Sequence, residues 1–165
     1  MDKKDKPFHI LVIRLSALGD VAMMVPVLQA LHLKYPDIRT TILTKKAFAP
    51  IFAEVEKVEV VVAKVKREHK GFQGLWRLYR ELKKREIDAV ADLHNVLRSK
   101  ILKKYFSLSR TPFFQIDKGR KEKKALTRTN NKDFKQLKTT HERYAEVFHA
   151  LGFPLDLGAA TPLQR

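Results

Sequence analysis

The chain contains no cysteine. This excludes disulfide cross-links, thiolate catalysis and zinc sites built on cysteine, and it fits a reducing compartment. Long apolar runs are also missing: the longest, around residues 21–33, is interrupted by Gln29 and His32 and is too short to span a bilayer. The charged residues 1–7 lack the pattern of a secretory signal. We therefore expect a cytoplasmic protein without a transmembrane helix.

Glycine is scarce, with 6 in 165 residues. A nucleotide-binding loop after the first strand needs glycines close to the phosphates, as in G-x-G-x-x-G or G-x-x-x-x-G-K-[ST]. The corresponding loop here, residues 16–20, contains only Gly19. Dinucleotide binding and P-loop hydrolysis are therefore poorly supported.

Acidic residues are few: 18 Asp and Glu face 34 Lys and Arg, which leaves a formal net charge of +16. Such an excess attracts polyanions over several ångströms of solution. Three classes of partner fit it, namely nucleic acid, an anionic membrane surface, and a phosphorylated or carboxylated substrate. The plainer alternative is a basic surface that serves solubility alone.

Strand-like and helix-like patterns alternate along the chain. The predicted strands are 9–15, 39–44, 58–63, 88–93 and, more weakly, 111–116. The predicted helices are 24–35, 48–52, 72–82, 96–106 and 139–151. The last of these begins with a capping box, Thr139-Thr140-His141-Glu142. The alternation predicts an α/β fold, a Rossmann-like doubly wound parallel sheet.

The helix 72–82 is predicted to bury one apolar face, formed by Phe72, Leu75, Trp76, Tyr79 and Leu82. A nucleic-acid-binding surface instead needs exposed aromatic residues interleaved with basic ones. On this interpretation the aromatic residues are unavailable, which argues against nucleic acid as a partner.

Ligands of open parallel sheets bind outside the carboxyl ends of the strands. This rule selects three segments, 16–20, 94–99 and the residues from 117 onward. The first offers Asp20, a carboxylate beside a helix N-terminus. Capping the helix is the commoner role of a lone Asp there, and general-base catalysis is the alternative. The residue pattern alone leaves both open.

Residues 10–21, Ile-Leu-Val-Ile-Arg-Leu-Ser-Ala-Leu-Gly-Asp-Val, with Pro26 and Leu31 following, resemble the opening signature of the lipopolysaccharide heptosyltransferases, glycosyltransferase family nine. Residues 92–99, Asp-Leu-His-Asn-Val-Leu-Arg-Ser, are similar to the family's segment after the fourth strand. Residues 141–144 and 151–154 resemble the elements that close its first domain. The resemblance covers nearly the whole chain.

The resemblance implies the N-terminal lobe of a glycosyltransferase B fold. Residues 1–152 would form the acceptor-binding domain and 153–165 the start of an interdomain linker, with the donor-binding domain outside this chain. Asp20 would be the general base of an inverting transfer of a heptose-type sugar to a lipopolysaccharide core or lipid A-linked acceptor, with ADP-heptose as the donor. The family implies no metal and no other cofactor, and this fragment alone would be inactive.

The resemblance and the loop positions together nominate acceptor-binding residues. Ser16 would orient the sugar, Gly19 would keep the backbone close to it, and His94 would form hydrogen bonds rather than act as a base. Anionic groups would be held by further residues: Arg98, Ser99, Lys118, Arg120, Lys121, Lys123 and Lys124. Ordinary turn formation and solvated surface charge are the plainer alternatives.

Residues 117–138 contain 9 Lys or Arg and 3 Asp or Glu, and are predicted to form a long basic loop. It would clamp the phosphates of the acceptor and contact anionic lipids at the inner face of the inner membrane, or it is simply solvated. Two other functions compete with the transferase: a basic nucleic-acid-binding domain and a non-catalytic partner-binding domain.

Overall fold

The computed structural model describes residues 6–126 and 136–159. In this part of the chain five parallel strands form one sheet in the order β3-β2-β1-β4-β5. The strands are β1 (Phe8–Ile13), β2 (Ile38–Thr44), β3 (Val58–Val62), β4 (Ala89–Asp92) and β5 (Phe113–Gln115). All five predicted strands are present, and each end lies within two residues of its predicted position. The predicted doubly wound α/β fold is confirmed.

Helices connect the strands. They are α1 (Leu18–Ala22), α2 (Met24–Lys34), α3 (Gly71–Lys83), α4 (Leu97–Ser107), α5 (Arg120–Leu126) and α6 (Thr140–Ala150), with 3-10 turns at Lys46–Phe52 and Leu157–Ala159. Pro26 lies in the first turn of α2, as predicted, where its missing N–H has no partner to lose. The capping box of α6 is confirmed, since Thr139 Oγ1 accepts from Glu142 N–H at 3.2 Å and Glu142 Oε2 from Thr139 N–H at 2.6 Å.

Two apolar layers cover the sheet. On one face α2 and α6 pack against the side chains of Ile10 and Val12, and on the other α3 and α4 pack against those of Leu11 and Ile13. Residues 10–13 are completely buried because β1 is the central strand and is covered on both faces. Burial on both faces of the sheet therefore explains the continuous apolar run of β1 in the sequence.

The predicted buried face of α3 is partly wrong. Its buried side chains are Leu75, Leu78, Tyr79 and Leu82, whereas Phe72 is 70% exposed and Trp76 is 40% exposed. Trp76 follows Leu75, so the helix turns it by about 100° away from the centre of the buried stripe. Phe72 lies in the first turn, at the edge of the packed surface. Because these two rings are exposed, burial of the aromatic residues does not exclude nucleic acid as a partner.

The predicted long basic loop also needs correction, because residues 120–126 form α5. Gly119 precedes this helix at φ +59°, which a residue with a side chain rarely adopts. The remainder of the prediction falls partly on residues 127–135, which lie outside the described residues.

The predicted linker begins on the surface of the domain. Phe153 stacks against Phe8 and Tyr35 with ring centroids 5.2 Å apart in both pairs, and Leu155 and Leu157 pack against the core. Residues 160–165 lie outside the described residues, and the domain boundary at residue 152 stays a prediction.

Candidate active site

The neighbouring strands β1, β4 and β5 end at the same edge of the sheet because they are parallel. The turns that follow them are residues 14–17, 93–96 and 116–119. The sheet order therefore brings the three predicted ligand-binding segments together.

Arg14, directly after β1, connects two of these turns. The residue is 8% exposed, and its guanidinium donates from Nη1 to the Leu93 carbonyl oxygen at 2.6 Å and from Nη2 to Asp20 Oδ2. The pair with Asp20 is an ion pair with an almost buried cation. No role was predicted for Arg14, although a basic residue at the end of a wholly apolar strand could have indicated one.

Asp20 lies in the first turn of α1 but does not cap it. The N-cap residue is Ala17, and no side chain bonds to the free N–H groups there. The Asp20 side chain is 42% exposed and turns Oδ2 towards Arg14, while Oδ1 has no hydrogen-bond partner among the described residues. Between the two roles left open by the sequence, the geometry disfavours capping.

Tyr144 of α6 fixes the backbone of Asp20. Its hydroxyl donates to the Asp20 carbonyl oxygen at 2.9 Å, and the residue is completely buried. Burial raises the pKa of Tyr144 to about 12, so the phenol stays protonated and keeps donating at physiological pH. Asp20 is thus held by its side chain from β1 and by its main chain from α6.

His94 lies in the turn after β4 and contacts the turn after β1, which carries Arg14. Its Nδ1 accepts a long hydrogen bond from Leu15 N–H at 3.4 Å, and Nε2 lies 3.3 Å from Ser16 Oγ. Burial lowers the pKa of His94 to about 4, and the charges of Arg14 and Lys118 act in the same direction. The ring is therefore neutral at physiological pH. Since Nδ1 accepts, Nε2 carries the proton and donates to Ser16.

Asp92 shapes the turn that carries His94. The residue is completely buried, and its Oδ1 accepts from the backbone N–H groups of His94 at 3.0 Å and Asn95 at 2.9 Å. Its Oδ2 accepts from Gln115 Nε2 at 2.8 Å, which joins β4 to β5. Asp92 was part of the sequence motif, but its positioning role was not predicted.

A basic groove of about 520 Å³ opens beside this turn. It is lined by Asn95, Lys100, Asp117, Lys118, Gly119, Arg120, Lys121 and Glu122. Burial lowers the pKa of Lys118, and the positive charges of Arg120 and Arg14 add to the effect. The groove and the Arg14 turn therefore belong to one electropositive region, which suits an anionic ligand.

Arg143 of α6 holds one wall of the groove. It is 6% exposed and donates from Nη1 to the Asp117 carbonyl oxygen at 3.2 Å and from Nη2 to Glu122 Oε2 at 2.9 Å. Its guanidinium packs so closely on Gly119 that a Cβ atom there would overlap with it. Glycine at position 119 therefore suits the positive φ, and a larger residue would have to displace the end of the Arg143 side chain.

The remaining predicted contact residues divide into three groups. Ser99 is completely buried, and its hydroxyl bonds to the backbone N–H and carbonyl of Val96 at the start of α4. Its predicted contact with an anionic group is therefore wrong. Gly19 is exposed, and a Cβ there would meet open space. Arg98, Lys123 and Lys124 are exposed but do not line the groove.

Within the described ranges, no group of three or more His, Cys, Asp or Glu side chains is placed to bind a metal ion. In the same ranges, no helix has the length and apolar character needed to cross a membrane.

Solved structures share the fold of this chain. The glycosyl transferase family 9 protein from Veillonella parvula matches with a TM-score of 0.62 and 21% identity, covering 90% of this chain and 42% of that one. The E. coli heptosyltransferase WaaC, solved with ADP-2-deoxy-2-fluoro heptose, matches with a TM-score of 0.64 and 19% identity, covering 96% of this chain and 51% of that one. The α/β fold with its five-stranded parallel sheet therefore matches part of these GT-B-like structures.

Sequence comparison narrows the class. No family model matches the chain. The lipopolysaccharide core heptosyltransferase OpsX of Haemophilus influenzae is 27% identical over 117 residues, which cover 71% of this chain and 32% of that protein. The chain is thus similar to heptosyltransferases in sequence and in fold, in agreement with the resemblance that the motifs predicted. The chain spans about a third of this relative and about half of the solved structures.

The low pKa of His94 makes stability depend on pH. Between about pH 6.5, where an unfolded histidine titrates, and about pH 4, the unfolded chain binds more protons at this position than the folded one. We expect His94 to contribute a loss of unfolding free energy as the pH falls through this window. In His94→Gln this contribution should disappear, as measured by denaturant unfolding at pH 7.5, 5.5 and 4.5.

His149→Gln is the matched control, since it removes an exposed ring from α6. An unchanged pH slope in His94→Gln would contradict the buried, neutral state of His94.

Proposed function

We propose that this chain is the acceptor-binding half of an inverting glycosyltransferase. The enzyme would transfer a heptose-type sugar from a nucleotide-sugar donor, such as ADP-heptose, to a lipopolysaccharide core or lipid A-linked acceptor. A further domain, to which residues after 152 lead, would bind most of the donor. On this proposal the chain by itself transfers no sugar.

The observation that carries the proposal is the state of the Asp20 carboxylate. Arg14 and Tyr144 fix its position, and one carboxylate oxygen is bound. The other has no partner in the part of the chain that the structure describes, on a side chain that is 42% exposed. A carboxylate held in this way at the carboxyl edge of a parallel sheet can accept a proton from a bound hydroxyl group.

The proposed reaction begins with proton transfer to Asp20. As Asp20 takes the proton, the acceptor oxygen forms a bond to the anomeric carbon of the donor sugar. The bond between that carbon and the nucleotide diphosphate breaks, and the diphosphate leaves with the bonding electrons. Attack opposite the leaving group inverts the anomeric centre. Neutral His94 and Ser16 would orient the sugar hydroxyls by hydrogen bonding.

The basic groove supports an anionic acceptor. Lys118, Arg120 and Lys121 line it together with a fourth basic residue, Lys100. Phosphates and acidic sugars of the acceptor would bind there through charge-assisted hydrogen bonds. We propose that the acceptor is anchored in this groove, beside the turn after β4.

Asp20→Asn should lower the transfer rate by about 10²–10⁴-fold, because the amide cannot accept the proton. Acceptor binding should change little, since the amide keeps the size of the side chain. The rate is measured in the enzyme that contains this chain together with its donor-binding domain. Asp37→Asn, at an exposed position before β2, is the matched control. Unchanged turnover of Asp20→Asn would remove Asp20 from the mechanism.

Lys118→Gln should raise the KM for the acceptor by roughly tenfold while leaving kcat close to wild type, because it removes one charge-assisted contact from the groove. Lys57→Gln, an exposed lysine in the turn before β3, is the control for the loss of one charge. Equal KM values for the two variants would contradict the anchoring role of the groove.

A further inference from the structure

Two large aromatic side chains project from the outer surface of α3. Phe72 is 70% exposed and Trp76 is 40% exposed, one helical turn apart. They lie on the face of the sheet that α3 and α4 cover, outside the site described above. Neither is used by the proposed transfer reaction.

These rings are held in place by their neighbours. Trp76 packs edge-on against Tyr105 of α4, with centroids 5.1 Å apart at 81°, and lies 5.1 Å from Tyr79 at 36°. The Tyr105 hydroxyl donates to the Phe72 carbonyl oxygen at 3.2 Å. The cluster thus bridges α3 and α4 and keeps its apolar edge at the surface.

The surroundings of the cluster are strongly basic. Helix α3 carries three basic residues and one acidic residue, Glu81, and α4 carries four basic residues and no acidic one. All of the basic side chains are exposed: Arg77, Arg80, Lys83, Arg98, Lys100, Lys103 and Lys104. Lys100 lines the basic groove and Lys103 bonds to Gln115 of β5, so we call Phe72, Trp76, Tyr105 and the other five basic residues the aromatic-basic face.

We propose that the aromatic-basic face docks on an anionic lipid bilayer, with Phe72 and Trp76 entering the headgroup region. Aromatic rings that are apolar on one side favour the membrane interface, and lysine and arginine side chains place their charges among the headgroups. Each basic residue near an anionic surface strengthens binding by roughly fivefold. The charge of the face thus complements this partner.

The packing of the rings favours lipid over single-stranded nucleic acid. Base stacking needs open ring faces along a groove. Here Trp76 is covered in part by Tyr79 and Tyr105. A bilayer requires only an apolar edge with positive charge around it.

The sole tryptophan of the chain is Trp76, so its fluorescence reports directly on this face. The 165-residue chain is titrated with phosphatidylcholine vesicles that contain phosphatidylglycerol as the anionic lipid, since polybasic surfaces bind anionic headgroups. We expect a blue shift of the Trp76 emission and co-sedimentation, both reduced by salt and absent with pure phosphatidylcholine.

Phe72→Ser should weaken vesicle binding by about tenfold, because it removes one inserted ring. Leu33→Ser is the matched control, since Leu33 is a 76% exposed apolar residue of α2 on the opposite face of the sheet. Arg80→Gln with Lys83→Gln should weaken binding through charge alone. Co-sedimentation measures all variants.

Several results would overturn the proposal: no binding to anionic vesicles, binding without a Trp76 shift, or equal weakening by Phe72→Ser and Leu33→Ser. A Trp76 shift caused by a single-stranded oligonucleotide but not by vesicles would identify nucleic acid as the partner. A shift with rising protein concentration alone would indicate a second copy. The assay involves no sugar transfer, so it fails or succeeds independently of the proposed function.

Discussion

The site depends on one buried charge, the guanidinium of Arg14. Leaving a buried cation without its partners costs about 3–5 kcal/mol, so the Leu93 carbonyl and the Asp20 carboxylate must both stay in contact with it. This requirement fixes the turn after β1 to the turn after β4 and sets the position of α1. The opening at the carboxyl edge of the sheet is therefore rigid where the candidate base lies.

Most of the fold could be predicted because its signals are local. Runs rich in β-branched and apolar residues marked the five strands, the fifth more weakly, and the Thr139 capping box marked α6. The contacts of the site were less accessible. The bond from Arg14 to Leu93 exists because β1 and β4 are neighbours, and sheet order is not encoded in any short segment. Asp20 was found by its place after a strand, whereas Ser99 was misjudged because its hydroxyl bonds back to the turn of Val96.

The two proposed surfaces are related through the topology. Helices that follow parallel strands begin near the carboxyl edge of the sheet, so α3 and α4 both start on the side where Asp20 lies. Phe72, in the first turn of α3, is on that side as well. A chain that docks on a bilayer through this face would present its opening close to the lipid surface, where a lipid-linked sugar acceptor is found.

The central claim is that Arg14 serves transfer by holding the Asp20 carboxylate. A double-mutant cycle tests it most directly, with transfer rates measured for Arg14→Met, Asp20→Asn and the double variant in the enzyme that includes the donor-binding domain. We predict that the double variant is as slow as Asp20→Asn to within about threefold, because Arg14 has nothing left to position. Fully additive losses would contradict the account.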